Sequence, residues 1–182
     1  VLHWVVGEQK KVNICKDKII LCGDSAGGNL ALVLSLYNRD FLKANIILQI
    51  LVYPATIFAA DFISKKEFDG LILSKNLLSW FEDNYVPKSV RKKYINCWKL
   101  SPGKAKSFRS LPSSFIALAE CDPLYDEGFY LSEQLKKNGN DLETVIFKGQ
   151  IHGFLTMDKI IKDADLLIEK IKEKISAILQ NI

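Results

Sequence analysis

The chain has only two histidines and one methionine in 182 residues, and its four cysteines show no Cys-x-x-Cys spacing. That scarcity leaves no His/Cys cluster of metal-ligand type, so no metal or organic cofactor is expected. Cys15, Cys22, Cys97 and Cys121 read as free thiols in a reducing cytoplasm, with Cys22 and Cys121 expected in the core. Long apolar runs are also missing. The best, Ile46 to Val52, is a short strand stopped by Pro54, far below the roughly twenty residues of a membrane helix. Neither a signal peptide nor a repeat or low-complexity tract is recognisable, and a cytoplasmic protein without an integral membrane segment is expected.

Acidic residues are absent between Asp83 and Glu120, where Lys88, Arg91, Lys92, Lys93, Lys99, Lys104, Lys106 and Arg109 all fall. Such a stretch could attract anionic lipid or nucleic acid. No aromatics interleave it at a nucleic-acid spacing, so it reads as the solvated face of a connection, with no nucleic-acid partner. With 48% hydrophobic residues and a net charge of +4, residues 1–182 suit a single domain with a real core.

What is present is concentrated around one serine. Ile19, Ile20 and Leu21 form an apolar strand, and Gly23-Asp-Ser-Ala-Gly27 follows it at once. From Ala26 to Tyr37 the pattern turns helical, with Leu30, Val33, Leu34 and Tyr37 on one face. This is the strand–turn–helix setting of a nucleophile elbow. Ser25 takes a strained backbone there, and Gly23 and Gly27 are expected to admit closely approaching chain. The amide after the nucleophile, that of Ala26, would donate to an oxyanion.

A serine nucleophile needs a base, and the histidines are His3 and His152. His3 lies on a short N-terminal amphipathic stretch and reads as a surface or packing residue. His152 follows the strand-like run Glu143 to Phe147, on the loop before the last helix. The α/β-type serine hydrolases carry their residues in the order Ser, then Asp or Glu, then His. Asp122, just beyond the strand Ser114 to Glu120, is the candidate acid, although it could also serve as an N-cap. Asp126 and Glu127 fall where acids favour a helix N-terminus, and capping is their expected role.

Elements are expected in the order helix (about Val1 to Gln9), strand (19 to 22), helix (26 to 38), strand (45 to 52), a long connection, strand (114 to 120), helix (126 to 138), strand (142 to 148) and a terminal helix from about Asp158 to Gln180. This alternation predicts an α/β fold, a mostly parallel sheet flanked by helices. The terminal helix would pack through Ile161, Ala164, Ile168, Ile171, Ile175 and Ile178. Residues 57 to 110 exceed a simple crossover, contain a helical pattern over Leu77 to Phe81, and read as a lid-like insertion.

Gly23-Asp-Ser-Ala-Gly-Gly-Asn29, Tyr53-Pro54, Trp80-Phe-Glu-Asp-Asn-Tyr85, Asp122-Pro-Leu-Tyr-Asp-Glu-Gly128 and His152-Gly-Phe154 stand in an order that resembles the hormone-sensitive-lipase-like carboxylesterases of the α/β-hydrolase fold. The resemblance runs from residue 1 to the end, with Tyr125 departing from an arginine often found there. It implies Ser25 as nucleophile, Asp122 as acid, His152 as base, a small-molecule ester as substrate, and a lid that bears on acyl selection. Amidase or peptidase activity in the same fold, and a non-catalytic remnant or partner-binding fragment, are the alternatives. The family's upstream His-Gly-Gly-Gly segment, which supplies most oxyanion donors, is absent from this sequence. The chain is therefore expected to be the truncated C-terminal part of a longer hydrolase, slow by itself and completed by an N-terminal segment or second chain. An uncovered first strand would then favour self-association.

Overall fold

The computed structural model describes residues 1–8, 15 and 18–180. Four strands, β1 (Ile19–Asp24), β2 (Ile46–Val52), β3 (Ser113–Cys121) and β4 (Leu142–Ile151), form one sheet in the order β1-β2-β3-β4. All three pairings are parallel. Among the described residues β1 therefore has a neighbouring strand on one side only.

Both faces of the sheet are covered, and side-chain alternation sorts its residues between two cores. Leu51, Ile116 and Leu118 face α2 (Ala26–Tyr37) and α6 (Tyr125–Lys137), where Leu32, Leu36, Leu131 and Leu135 are buried. Ile50, Val52, Phe115 and Ala117 face the other way, toward Phe154 and Leu167. Leu167 belongs to α7 (Lys162–Gln180).

The inward face of α7 differs in part from expectation, and that of α2 is set by its small residues. In α2 the buried residues are Gly28, Ala31, Leu32, Ser35 and Leu36, whereas Leu30 is exposed. The helix carries two apolar stripes, and the one with small residues lies against the sheet because it permits closer approach. The other stripe is still used: Tyr37 meets Phe41, and its hydroxyl lies 3.1 Å from Nε2 of the exposed His3. In α7, Leu167 is fully buried and Ile168 is 37% exposed. Ile161, Ile171, Ile175 and Ile178 do pack on the core as expected, and the helix starts at Lys162 rather than near Asp158. Neither Cys22 nor Cys121 is a core residue, since Cys22 is exposed and Cys121 half-buried. The N-terminal helix α1 runs Leu2–Glu8, and its expected end at Gln9 lies outside the described residues.

The long connection between β2 and β3 contains α3 (Ser64–Glu67), α4 (Lys75–Tyr85) and α5 (Lys88–Tyr94). Ser74 caps α4 by accepting the Leu77 amide at 3.1 Å. The basic stretch expected to be solvated is partly tied down: Arg91 lies 2.6 Å and Lys88 3.1 Å from Asp83. Among the described residues no helix is long and apolar enough to cross a membrane, and no group of His, Cys, Asp or Glu is arranged to hold a metal.

Candidate active site

Ser25 stands between the end of β1 and the start of α2 with φ at 52°. A non-glycine residue in that region is strained and persists only when its surroundings hold it. Here they do so from both sides: the Ser25 amide donates to the Val52 carbonyl oxygen (2.9 Å), and the Ser25 carbonyl oxygen accepts the Ala55 amide (3.0 Å). The turn after β2 thus grips the elbow through the backbone.

Close approach falls on Gly23 and Gly28 rather than on Gly23 and Gly27. A Cβ on Gly23 would overlap the Gly27 carbonyl, and one on Gly28 would lie 2.7 Å from the Pro54 Cβ. At Gly27 the nearest obstacle is an Asp24 carboxylate oxygen at 3.8 Å, an ordinary contact.

The loop after β3 delivers Asp122, which has no exposed surface. Its Oδ1 accepts the Leu124 amide at 2.8 Å, an Asx-type turn that leads into α6, and its Oδ2 lies 2.7 Å from His152 Nδ1. The capping-type contact and the contact to histidine therefore coexist on two oxygens of one group. His152 follows β4 and is 6% exposed. Gly153, with φ at 78°, turns the chain away behind it. The imidazole Nε2 lies 2.9 Å from Ser25 Oγ. Since a carboxylate only accepts, Nδ1 carries the proton in this arrangement, and Nε2 is left to accept from the serine hydroxyl. Three side chains that stand 97 and 30 residues apart in sequence form one continuous hydrogen-bonded relay.

Beside Ser25 opens a cavity of about 470 Å³, within the size range of small-molecule sites. Ala26 borders it, and as the first residue of α2 its amide has no acceptor within the helix. The walls are mostly apolar, with Leu30, Ile57, Leu73, Leu78, Phe81 and Leu124 among them. Several of these come from the 57–110 connection, which therefore covers the site. Leu30, on the other apolar stripe of α2, is a wall of the cavity.

Glu127 departs furthest from its expected role. It is 1% exposed; its Oε1 accepts the Thr56 amide at 2.5 Å and the Ile57 amide at 3.2 Å, and its Oε2 lies 3.1 Å from Lys65 Nζ. Burial pushes its carboxyl above the ordinary range, while Lys65 and the two amides act in the opposite direction. It is a bracket between α6 and the connection rather than a helix-capping acid. Asp126 does similar work, accepting the Ser64 amide at 2.9 Å. Tyr125 stacks on Phe129 with centroids 6.0 Å apart.

The sheet, elbow and cavity define the class. Residues 1–156 match a family described as "alpha/beta hydrolase fold", and the chain belongs to it. Among its relatives, carboxylesterase NlhH of Mycobacterium tuberculosis is 30% identical over 165 residues, which span 90% of this chain and 51% of NlhH. The ethyl acetate hydrolase of Pseudomonas putida is 27% identical over 171 residues, again covering 90% of this chain and 51% of the relative. Among solved structures, a hyperthermophilic esterase from Pyrobaculum calidifontis superposes with a TM-score of 0.90 at 31% identity over 97% of this chain and 58% of its own. The chain thus spans about half the length of the curated relatives it matches.

Proposed function

We propose that this protein is a serine carboxylic ester hydrolase in which residues 1–182 form one domain and the 57–110 connection serves as its lid. The single observation that carries the reading is the relay Asp122–His152–Ser25, at 2.7 and 2.9 Å, opening onto an apolar cavity. Ser25 Oγ adds to the ester carbonyl carbon as its proton passes to His152 Nε2, and the carbonyl electron pair moves onto oxygen. The Ala26 amide donates to that oxygen. Asp122 holds the imidazole in the tautomer that can accept, and stabilises the imidazolium that forms. The imidazolium then returns its proton to the leaving alkoxide, and a water activated by the same imidazole releases the acid from the acyl-serine.

The lining supports an apolar acyl group and a small-molecule ester, in line with a carboxylesterase and an ethyl acetate hydrolase among the relatives above. Hydrolysis of nitrophenyl esters from acetate to decanoate tests the reading. Turnover that favours the shorter chains and disappears in Ser25→Ala is expected. Equal turnover by Ser25→Ala would overturn it.

A further inference from the structure

Tyr53 is 1% exposed and follows the last residue of β2, with φ at 33°. Its backbone and ring, though not its hydroxyl, are held by neighbours. Its amide donates to the Ala117 carbonyl oxygen at 2.7 Å, and residues 52 and 55 on either side are the ones that grip the Ser25 backbone. From this clamped position the phenol ring reaches the imidazole of His152, with centroids 4.7 Å apart and planes inclined at 55°. Phe154 closes the other flank, its ring 5.7 Å from that of Tyr53. One turn therefore holds the nucleophile by its backbone and the base by an aromatic ring. A fully buried side chain at positive φ costs free energy, and such strain gathers where geometry is imposed for a purpose.

We propose that Tyr53 positions the His152 imidazole for Ser25 and stabilises its protonated form. The separation lies within the roughly 6 Å over which an aromatic face attracts a cation, and the attraction appears only once the imidazole has taken the serine proton. It therefore favours the transition state over the ground state. Asp122 accepts from the imidazole Nδ1 and Ser25 meets Nε2, while Asp24 and Asp122 both act on the neighbouring phenol. Burial and then Asp24 drive the phenol's ionisation well above its usual range, so the ring stays neutral wherever an imidazole titrates.

The inference rests on the ester-hydrolase reading, and two measurements keep their failures apart. The first is the pH dependence of kcat/KM on p-nitrophenyl acetate for Tyr53→Leu, Tyr53→Phe and phenylalanines carrying one, two or three ring fluorines. Removing the ring should move the midpoint of the acid limb down by about half a pH unit and lower kcat about 2- to 5-fold with little change in KM. Tyr53→Phe should restore the midpoint, and successive fluorines should lower it stepwise, because they drain the ring face while barely altering its shape. The midpoint does not depend on how much of a variant is folded. The second measurement is the NMR titration of the His152 imidazole without substrate, with His3→Gln removing the other histidine signal. A midpoint that stays put across Tyr53→Leu and the fluorinated series, in rate and in NMR, overturns the proposal. A stepwise NMR shift in a protein that hydrolyses no ester would uphold the ring–imidazole coupling and fail the ester reading.

Discussion

Gly28 in α2 and Pro54 after β2 stand so close that a Cβ on Gly28 would lie 2.7 Å from the Pro54 Cβ and 3.0 Å from its Cα. This contact seats the helix that follows Ser25 on the turn that grips the Ser25 backbone. Gly28→Ala should therefore destabilise the fold by about 1–3 kcal/mol, the usual range for overpacking. Gly27→Ala should be neutral or stabilising by up to about 1 kcal/mol, since alanine favours a helix and meets only Asp24 at 3.8 Å. Urea unfolding of both variants checks the contrast.

Glu127 binds α6 to the start of the 57–110 connection through the Thr56 and Ile57 amides and Lys65. Glu127→Ala leaves two buried amides and a largely buried ammonium without their partner. A loss of about 3–5 kcal/mol is expected, the range for breaking a buried ion pair from one side. Glu127→Gln keeps an acceptor for the amides and should lose less. Unfolding midpoints of the pair give the comparison.

These residues also mark what can be read from sequence and what cannot. The elbow and the order of strands and helices were legible because a glycine-flanked serine between an apolar strand and a helix is a local pattern, and so is the run into β3. Glu127 was not, because an acid in the first turn of a helix looks the same whether it faces water or the Thr56 and Ile57 amides about seventy residues away. The inward face of α2 was not legible because Leu30, Val33 and Leu34 form as good a stripe as Ala31, Leu32 and Leu36. What separates them is the depth at which Gly28 lets the helix approach Pro54. In α7, Leu166, Leu167 and Ile168 stand in a row, so hydrophobicity alone could not pick Leu167.

The junction of α4 and α5 is held by Asp83, whose carboxyl Arg91 first, and then Lys88, hold below the usual aspartate range. Arg91 also lies over the Phe58 ring, 5.5 Å from its centroid, and Phe58 borders the cavity. A carboxyl lowered on folding contributes stability that is present above its unfolded value of about 3.9 and is lost as pH falls through the lower native value. The difference in thermal midpoint between the parent and Asp83→Asn should accordingly be largest above pH about 4, vanish at lower pH, and shrink in high salt. Thermal scans across pH and salt test this.

In the proposed mechanism Asp122 donates nothing to the ester, yet its removal should be costly. Asp122→Asn can present an amide N–H to His152 Nδ1, which favours the tautomer that cannot accept from Ser25. In a serine-protease triad the corresponding change lowers kcat by about 10⁴-fold, and a loss of that order is expected here with little change in KM. Steady-state kinetics on a short-chain nitrophenyl ester measures it.

Whether His152 makes Ser25 a nucleophile is read out by covalent trapping. A fluorophosphonate treated with the protein should lose fluoride and leave one phosphonyl group on Ser25 Oγ, seen as a single mass addition that peptide mapping places at that residue. The adduct should be absent in Ser25→Ala and form far more slowly in His152→Ala. An unmodified protein, or an adduct that persists in Ser25→Ala, would contradict the account.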